Sequence, residues 1–137
     1  MFNMTKHALD GRSVVSSSAP WETQLGYSRG LRAGNLIFVS GTVAADAQGA
    51  PVGTTVAEQT DYIVRKIEVA IRELGGSLRD IVRVDTFLVD FANFAAYAEV
   101  LRGYFHDTRP VNTTVQCARL VNPAFVVEIS AVAVIRE

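Results

Sequence analysis

The chain of 137 residues has one cysteine, two histidines, one tryptophan and four prolines. A single cysteine, Cys117, excludes an intrachain disulfide. It reads as a small buried hydrophobe, the usual state of a free cysteine. A nucleophilic thiol would need a base, and neither His7 nor His106 sits in a recognisable motif. Nothing has metal-ligand spacing, so neither a metal nor a cofactor is implied. An excess of either charge is also missing: 13 Lys and Arg stand against 14 Asp and Glu. That balance lacks the basic stripe of a nucleic-acid binder. Hydrophobic residues make up 49% of the chain, which excludes disorder. No apolar run approaches the ~18 residues of a spanning helix. Residues 1–18 carry no continuous apolar segment and do not read as a signal peptide. The expectation is a cytoplasmic protein with no membrane or nucleic-acid partner.

What is present reads as one α+β domain. Residues 1–19, polar and rich in small side chains, read as an N-terminal arm with a short strand at most. Residues 20–137 read as a single domain. Two apolar runs, 27–31 and 36–40, flank Ala33-Gly34-Asn35 and predict a hairpin. Thr55 and Glu58 have capping-box spacing. Ile63, Ile67, Ala70, Ile71 and Leu74 then follow at helical spacing, and Gly75-Gly76 supplies the stop. Residues 81–89 are rich in β-branched side chains and read as a buried strand. A second helix spans about 93–105, with Phe94, Tyr97, Ala98, Leu101, Tyr104 and Phe105 on its apolar face. Residues 113–120 and 125–135 read as two closing strands. Asn122-Pro123 between them is a turn signal compatible with a second hairpin. Two helices cover only one face of such a sheet. Its other apolar face must be buried by something else, and self-association is the economical answer.

Strand alternation places Asn112, Thr114 and Gln116 on one wholly polar face. Such a face either meets solvent or lines a cleft. Glu128 is an acid inside the apolar strand Val126-Val127-Glu128-Ile129. It needs a partner or polar space. Both a general base of raised pKa and an arginine-paired structural glutamate satisfy that need. Arg29 lies two residues after Tyr27, so in a strand both point the same way. It is either a surface arginine or a cationic group in a cleft. Glu22 precedes Tyr27 closely enough to reach the same cleft, but as a loop acid it reads as solvated. Arg109 is a lesser candidate for a cationic group and reads as a solvated loop residue, and Glu58 as a cap.

Four blocks of sequence resemble the Rid superfamily, also called YjgF/YER057c/UK114. They are Arg109-Pro110-Val111-Asn112-Thr113-Thr114-Val115-Gln116-Cys117-Ala118-Arg119-Leu120, Val127-Glu128-Ile129-Ser130-Ala131, Gly26-Tyr27-Ser28, and Asn35-Leu36-Ile37-Phe38-Val39-Ser40-Gly41. The resemblance implies a chorismate-mutase-like fold, with a mixed six-stranded sheet and two helices on one face. It also implies a homotrimer with a central barrel and ligand clefts between subunits. For the site it implies Glu128 as the catalytic, water-orienting acid and Tyr27, Arg29, Asn112 and Thr114 as substrate-binding residues. The implied activity is that of an enamine/imine deaminase, hydrolysing C=N bonds to release ammonia. The family's carboxylate-binding arginine falls on Asn112, so activity on 2-imino acids is expected to be weak or absent. The small-molecule ligand is a carboxylate or an imine. The alternative is a non-catalytic or differently specific metabolite-binding protein. The ribonuclease activity sometimes attached to the family finds no basic excess and no histidine pair here.

Overall fold

A computed structural model describes residues 2–136, so the ends of the expected arm and domain, residues 1 and 137, lie outside the described residues. One mixed sheet has the order β1-β2-β3-β4-β7-β5-β6. Its strands are β1 (Thr5–Leu9), β2 (Arg12–Ser16), β3 (Gly30–Ala33), β4 (Leu36–Thr42), β5 (Ile81–Leu88), β6 (Val111–Gln116) and β7 (Val127–Val134). The helices are α1 (Pro20–Leu25), α2 (Val56–Glu73) and α3 (Phe94–Phe105). No helix of the described residues is long and apolar enough to cross a membrane.

The α+β fold class is as the sequence predicts, but the sheet has seven strands rather than six. The additional pairing lies in the segment expected as an arm. Asp10 and Gly11 both have positive φ, at 50° and 76°, which closes a two-residue turn between β1 and β2. β2 then pairs antiparallel with β3 and joins the hairpin to the sheet.

Helix α2 follows from its termini and its stripe. Thr55 and Glu58 form the reciprocal capping box. Gly75, at φ 92°, ends the helix, with Gly76 N–H donating to the Ile71 carbonyl at 3.0 Å. Ile63, Ile67, Ala70, Ile71 and Leu74 are all buried, against Val39, Ile129 and Ala131 among others in the sheet. Helix α3 buries Tyr97 and Phe105, whereas Phe94 is exposed and packs on Phe91 and Tyr97.

The closing strands do not form a hairpin. β6 pairs parallel with β5 at the sheet edge, and β7 runs antiparallel between β4 and β5. The turn at Asn122-Pro123 reverses the chain, but the ten residues from 117 to 126 also carry it past β5. Gln59, fully buried on α2, holds this loop by donating to the Ala124 carbonyl at 2.8 Å and accepting from Val126 N–H at 2.9 Å. Cys117, expected to be buried, is half-buried where β6 ends.

Helices α2 and α3 pack on one face of the sheet. On the other, Phe38, Phe87 and Val115 are 43%, 40% and 41% exposed. This is the uncovered apolar face that the sequence implies.

Lys66 is the charged exception on the buried side of α2, only 5% exposed, and it donates to the Ala45 carbonyl at 3.0 Å. Burial, with a further push from Arg29, lowers its pKa to about 8. The unfolded chain therefore holds more protons than the folded one between about pH 8 and the ordinary value of 10.5. Stability must rise with pH in that window. We expect the melting temperature of the wild type to climb from pH 8 to 9.5 relative to Lys66→Met, followed by circular dichroism. Parallel pH curves for the two proteins would contradict a buried, easily neutralised amine.

Candidate functional site

The β4–β7 ladder slips between Val39 and Thr42, and the site forms at this irregularity. A cleft of about 340 Å³ opens beside it. Trp21, Leu25, Val43 and Val121 give it apolar walls, and Tyr27, Arg29, Ser40 and Glu128 supply polar groups. Helix α1 builds one wall. Pro20 starts it, and Gly26, left-handed at φ 73°, stops it just before Tyr27. Trp21 meets the buried Phe125 ring edge-on at 6.1 Å, which fixes that wall against the loop before β7.

Arg29 is not a surface arginine, since it is only 3% exposed. Its Nε pairs with Glu22 Oε2 at 3.3 Å. Nη1 donates to the Gly41 carbonyl at 2.7 Å and to Thr42 Oγ1 at 3.0 Å, and Nη2 donates to the Tyr27 hydroxyl at 3.1 Å. A guanidinium has five N–H donors, so one on Nη2 is left over. By accepting from Arg29, Tyr27 is left with its own proton to give.

Glu22, expected as a solvated loop acid, is 5% exposed. Its carboxylate accepts from Ser16 Oγ at 2.9 Å, from Ser17 N–H at 3.1 Å and from the Ser17 hydroxyl. Burial alone would raise its pKa. The Ser17 hydroxyl and amide, the Arg29 charge and Ser16 outweigh that and hold it below the usual carboxylate value. Glu22 is therefore a buried, ionised partner for Arg29. Its partners flank α1 in sequence, Ser16 and Ser17 before it and Arg29 after it, and only the fold brings them together on one carboxylate.

Glu128 projects from β7 on the face away from the helices. Its carboxyl lies against Gly41, where any Cβ would collide with Oε2. Here glycine serves close approach rather than backbone freedom. Burial raises the Glu128 pKa, and Arg29 only partly opposes this. Arg29 is bonded to Glu22, not to Glu128.

Asn112 and Thr114 lie elsewhere in the chain. They sit on edge strand β6 on the helix-covered face, beyond β7 and β5 from β4. Thr114 Oγ1 donates to Asn112 Oδ1 at 2.8 Å and lies 2.9 Å from the Tyr97 hydroxyl, which donates to Thr86 at 2.6 Å. Asn112 lines a separate hollow of about 320 Å³ with Arg102, His106 and Arg109. One chain thus brings Tyr27, Arg29 and Glu128 together and leaves Asn112 and Thr114 apart. Among the described residues, no three His, Cys, Asp or Glu side chains gather as a metal site.

The profile of the endoribonuclease L-PSP family matches residues 17–135. The chain belongs to that family. The RutC family protein PYRAB12510 of Pyrococcus abyssi is 34% identical over 108 residues, covering 78% of this chain and 84% of that protein. The mitochondrial protein MMF1 of Saccharomyces cerevisiae is 29% identical over 115 residues, covering 80% of this chain and 79% of that one. Among solved structures, a YjgF/YER057c/UK114 family member from Mycobacterium tuberculosis superposes with a TM-score of 0.84 at 35% identity, covering 90% of this chain and 99% of that one. Within this L-PSP family member, the Glu22–Arg29 pair is the feature that sequence reading missed.

Removing one member of a buried ion pair strands the other. Glu22→Ala should cost about 3–5 kcal/mol of unfolding free energy, measured by urea titration. Arg29→Met with Glu22→Leu should recover much of that loss. A single-variant loss below about 1 kcal/mol, the range of exposed pairs, would show that the pair is solvated.

Proposed function

We propose that this protein hydrolyses C=N bonds of small imines or enamines in a cleft completed between copies of the chain. The observation that carries this reading is the Glu128 carboxyl. It is pressed against Gly41 in an apolar-walled cleft, and its pKa is raised. A carboxyl so tuned can take a proton from water near neutrality more readily than an ordinary glutamate. In the reaction, Glu128 orients and deprotonates water, the water oxygen adds to the imine carbon, and the C–N bond of the resulting carbinolamine breaks. A carbonyl compound and ammonia leave. The Tyr27 hydroxyl, already accepting from Arg29, donates to the substrate.

The division of the site supports self-association, which the family resemblance makes a homotrimer. Tyr27, Arg29 and Glu128 lie on the sheet face that α2 and α3 leave uncovered, near exposed Phe38 and Phe87. Asn112 and Thr114 lie on the far edge strand. A second copy packed on the uncovered face would bury its apolar side chains and bring an Asn112–Thr114 edge to the cleft.

Asn112 favours a second reading, a metabolite-binding protein without turnover. A neutral amide lacks the forked, charged grip that a guanidinium gives a carboxylate. Its carbonyl oxygen already accepts from Thr114.

Sedimentation equilibrium at micromolar concentration should give three times the sequence mass of 14.9 kDa. A stable monomer would remove the basis for a shared cleft. Imine hydrolysis is to be followed by loss of semicarbazide trapping. The wild type should turn over 2-iminopropanoate slowly, Asn112→Arg should raise that rate roughly ten- to a hundredfold, and Glu128→Gln should abolish it. The rate should rise with pH through a limb lying above the usual carboxylate range, and Glu128→Gln should lose that limb. A wild-type rate unaffected by Glu128→Gln would remove the catalytic reading.

A further inference from the structure

The buried charges around the cleft define what it accepts. Glu22 and Arg29 cancel as a bonded pair, both at least nine-tenths buried. Lys66, buried, and Asp46, half-buried, are close enough to act on each other's charge and add one of each sign. What remains toward the ligand is Glu128. The cleft of one chain therefore presents a neutral or negative environment and no unpaired cation. Asn112, the residue expected to complete it, is neutral too, with Arg102 and Arg109 lining the same hollow of the β6 edge.

We propose that this cleft selects a carboxylate-free imine in its protonated, iminium form, and that Glu22 sets the preference by neutralising Arg29. The proposal rests on reading the cleft as an imine site and names the substrate class of that site. An iminium N–H can donate to the Glu128 carboxylate, a charge-assisted contact. The organic substituents then lie against Trp21, Leu25, Val43 and Val121. The remaining Arg29 N–H and the Tyr27 hydroxyl serve a neutral oxygen acceptor, either the attacking water or a substrate carbonyl or hydroxyl. A substrate carboxylate would instead meet Glu128, and among the residues lining the cleft of one chain no unpaired cation would offset the repulsion. The net reaction converts one iminium ion and one water into one ketone or aldehyde and one ammonium ion. Glu128 takes one proton as the water oxygen forms the new C–O bond and returns it to nitrogen, which leaves as ammonia with the C–N electron pair. The carbinolamine hydroxyl proton, released as the C=O bond forms, makes the ammonium ion.

Three planar molecules of one size, benzamidinium, benzamide and benzoate, carry charges of plus one, zero and minus one near pH 7. Calorimetry with the full-length protein in its native assembly should rank them in that order, with benzoate at least roughly tenfold weaker than benzamidinium. Glu128→Gln should remove the advantage of benzamidinium over benzamide. Glu22→Gln keeps the volume and most hydrogen bonds but leaves the Arg29 charge uncancelled. It should raise benzoate affinity relative to benzamide by roughly tenfold. If that variant does not fold, the wild-type ranking still decides. Equal affinities, a preference for benzoate, or no benzamidinium binding at millimolar concentration would each overturn the proposal. Benzoate binding lost in Arg109→Gln would overturn it in favour of a cation supplied from the β6 edge. The catalytic reading fails separately: the ligand ranking can hold while imine hydrolysis is absent, and hydrolysis can occur with the ranking reversed.

Discussion

The buried contact between Glu22 and Arg29 organises the end of the sheet where the cleft lies. Through Ser16 and Ser17 it ties α1 to the end of β2. Through the Gly41 carbonyl and Thr42 hydroxyl it reaches the irregular stretch of β4. Through the Tyr27 hydroxyl it reaches the cleft. A desolvated ion pair adds little net stability against an apolar pair of the same shape, since each charge gives up its water. Its effect here is geometric. Four short segments are held in one arrangement, and the Tyr27 hydroxyl, lining the cleft, keeps its own proton to donate.

The sheet slip works with that pair. A regular β4–β7 ladder would continue unbroken past Gly41. The shifted register frees the Gly41 carbonyl to accept from Arg29, and the absent Cβ leaves room for the Glu128 carboxyl. One irregularity thus gives the arginine an acceptor and the glutamate a dry seat.

Much of the fold could be read from local signals, because those elements are specified locally. The capping box at Thr55, the buried stripe from Ile63 to Leu74 and the stop at Gly75 lie within one stretch of chain and fix α2. Asp10-Gly11 was an equally local hairpin signal, masked by the polar, exposed residues of β1 around it. The pairing of β6 and β7 is not local. Asn122-Pro123 says that the chain turns, not which strand it meets afterwards, and that choice depends on Gln59, more than sixty residues upstream. The site shows the same division. Alternation correctly put Tyr27 and Arg29 on one side and Asn112 and Thr114 together. It could not tell that these two sets occupy different faces and opposite regions of the sheet. Glu22 was invisible as a buried acid because its burial depends on Ser16 and Ser17 before α1 and Arg29 after it meeting on one carboxylate.

The contact between Gly41 and Glu128 also links two positions in heredity. A Cβ at 41 would meet Glu128 Oε2, the far end of a flexible side chain, so a residue there would turn the carboxyl out of its seat rather than break the strand. A change at 41 would therefore be felt first by the acid at 128, while the fold, the buried arginine and the pocket walls could persist.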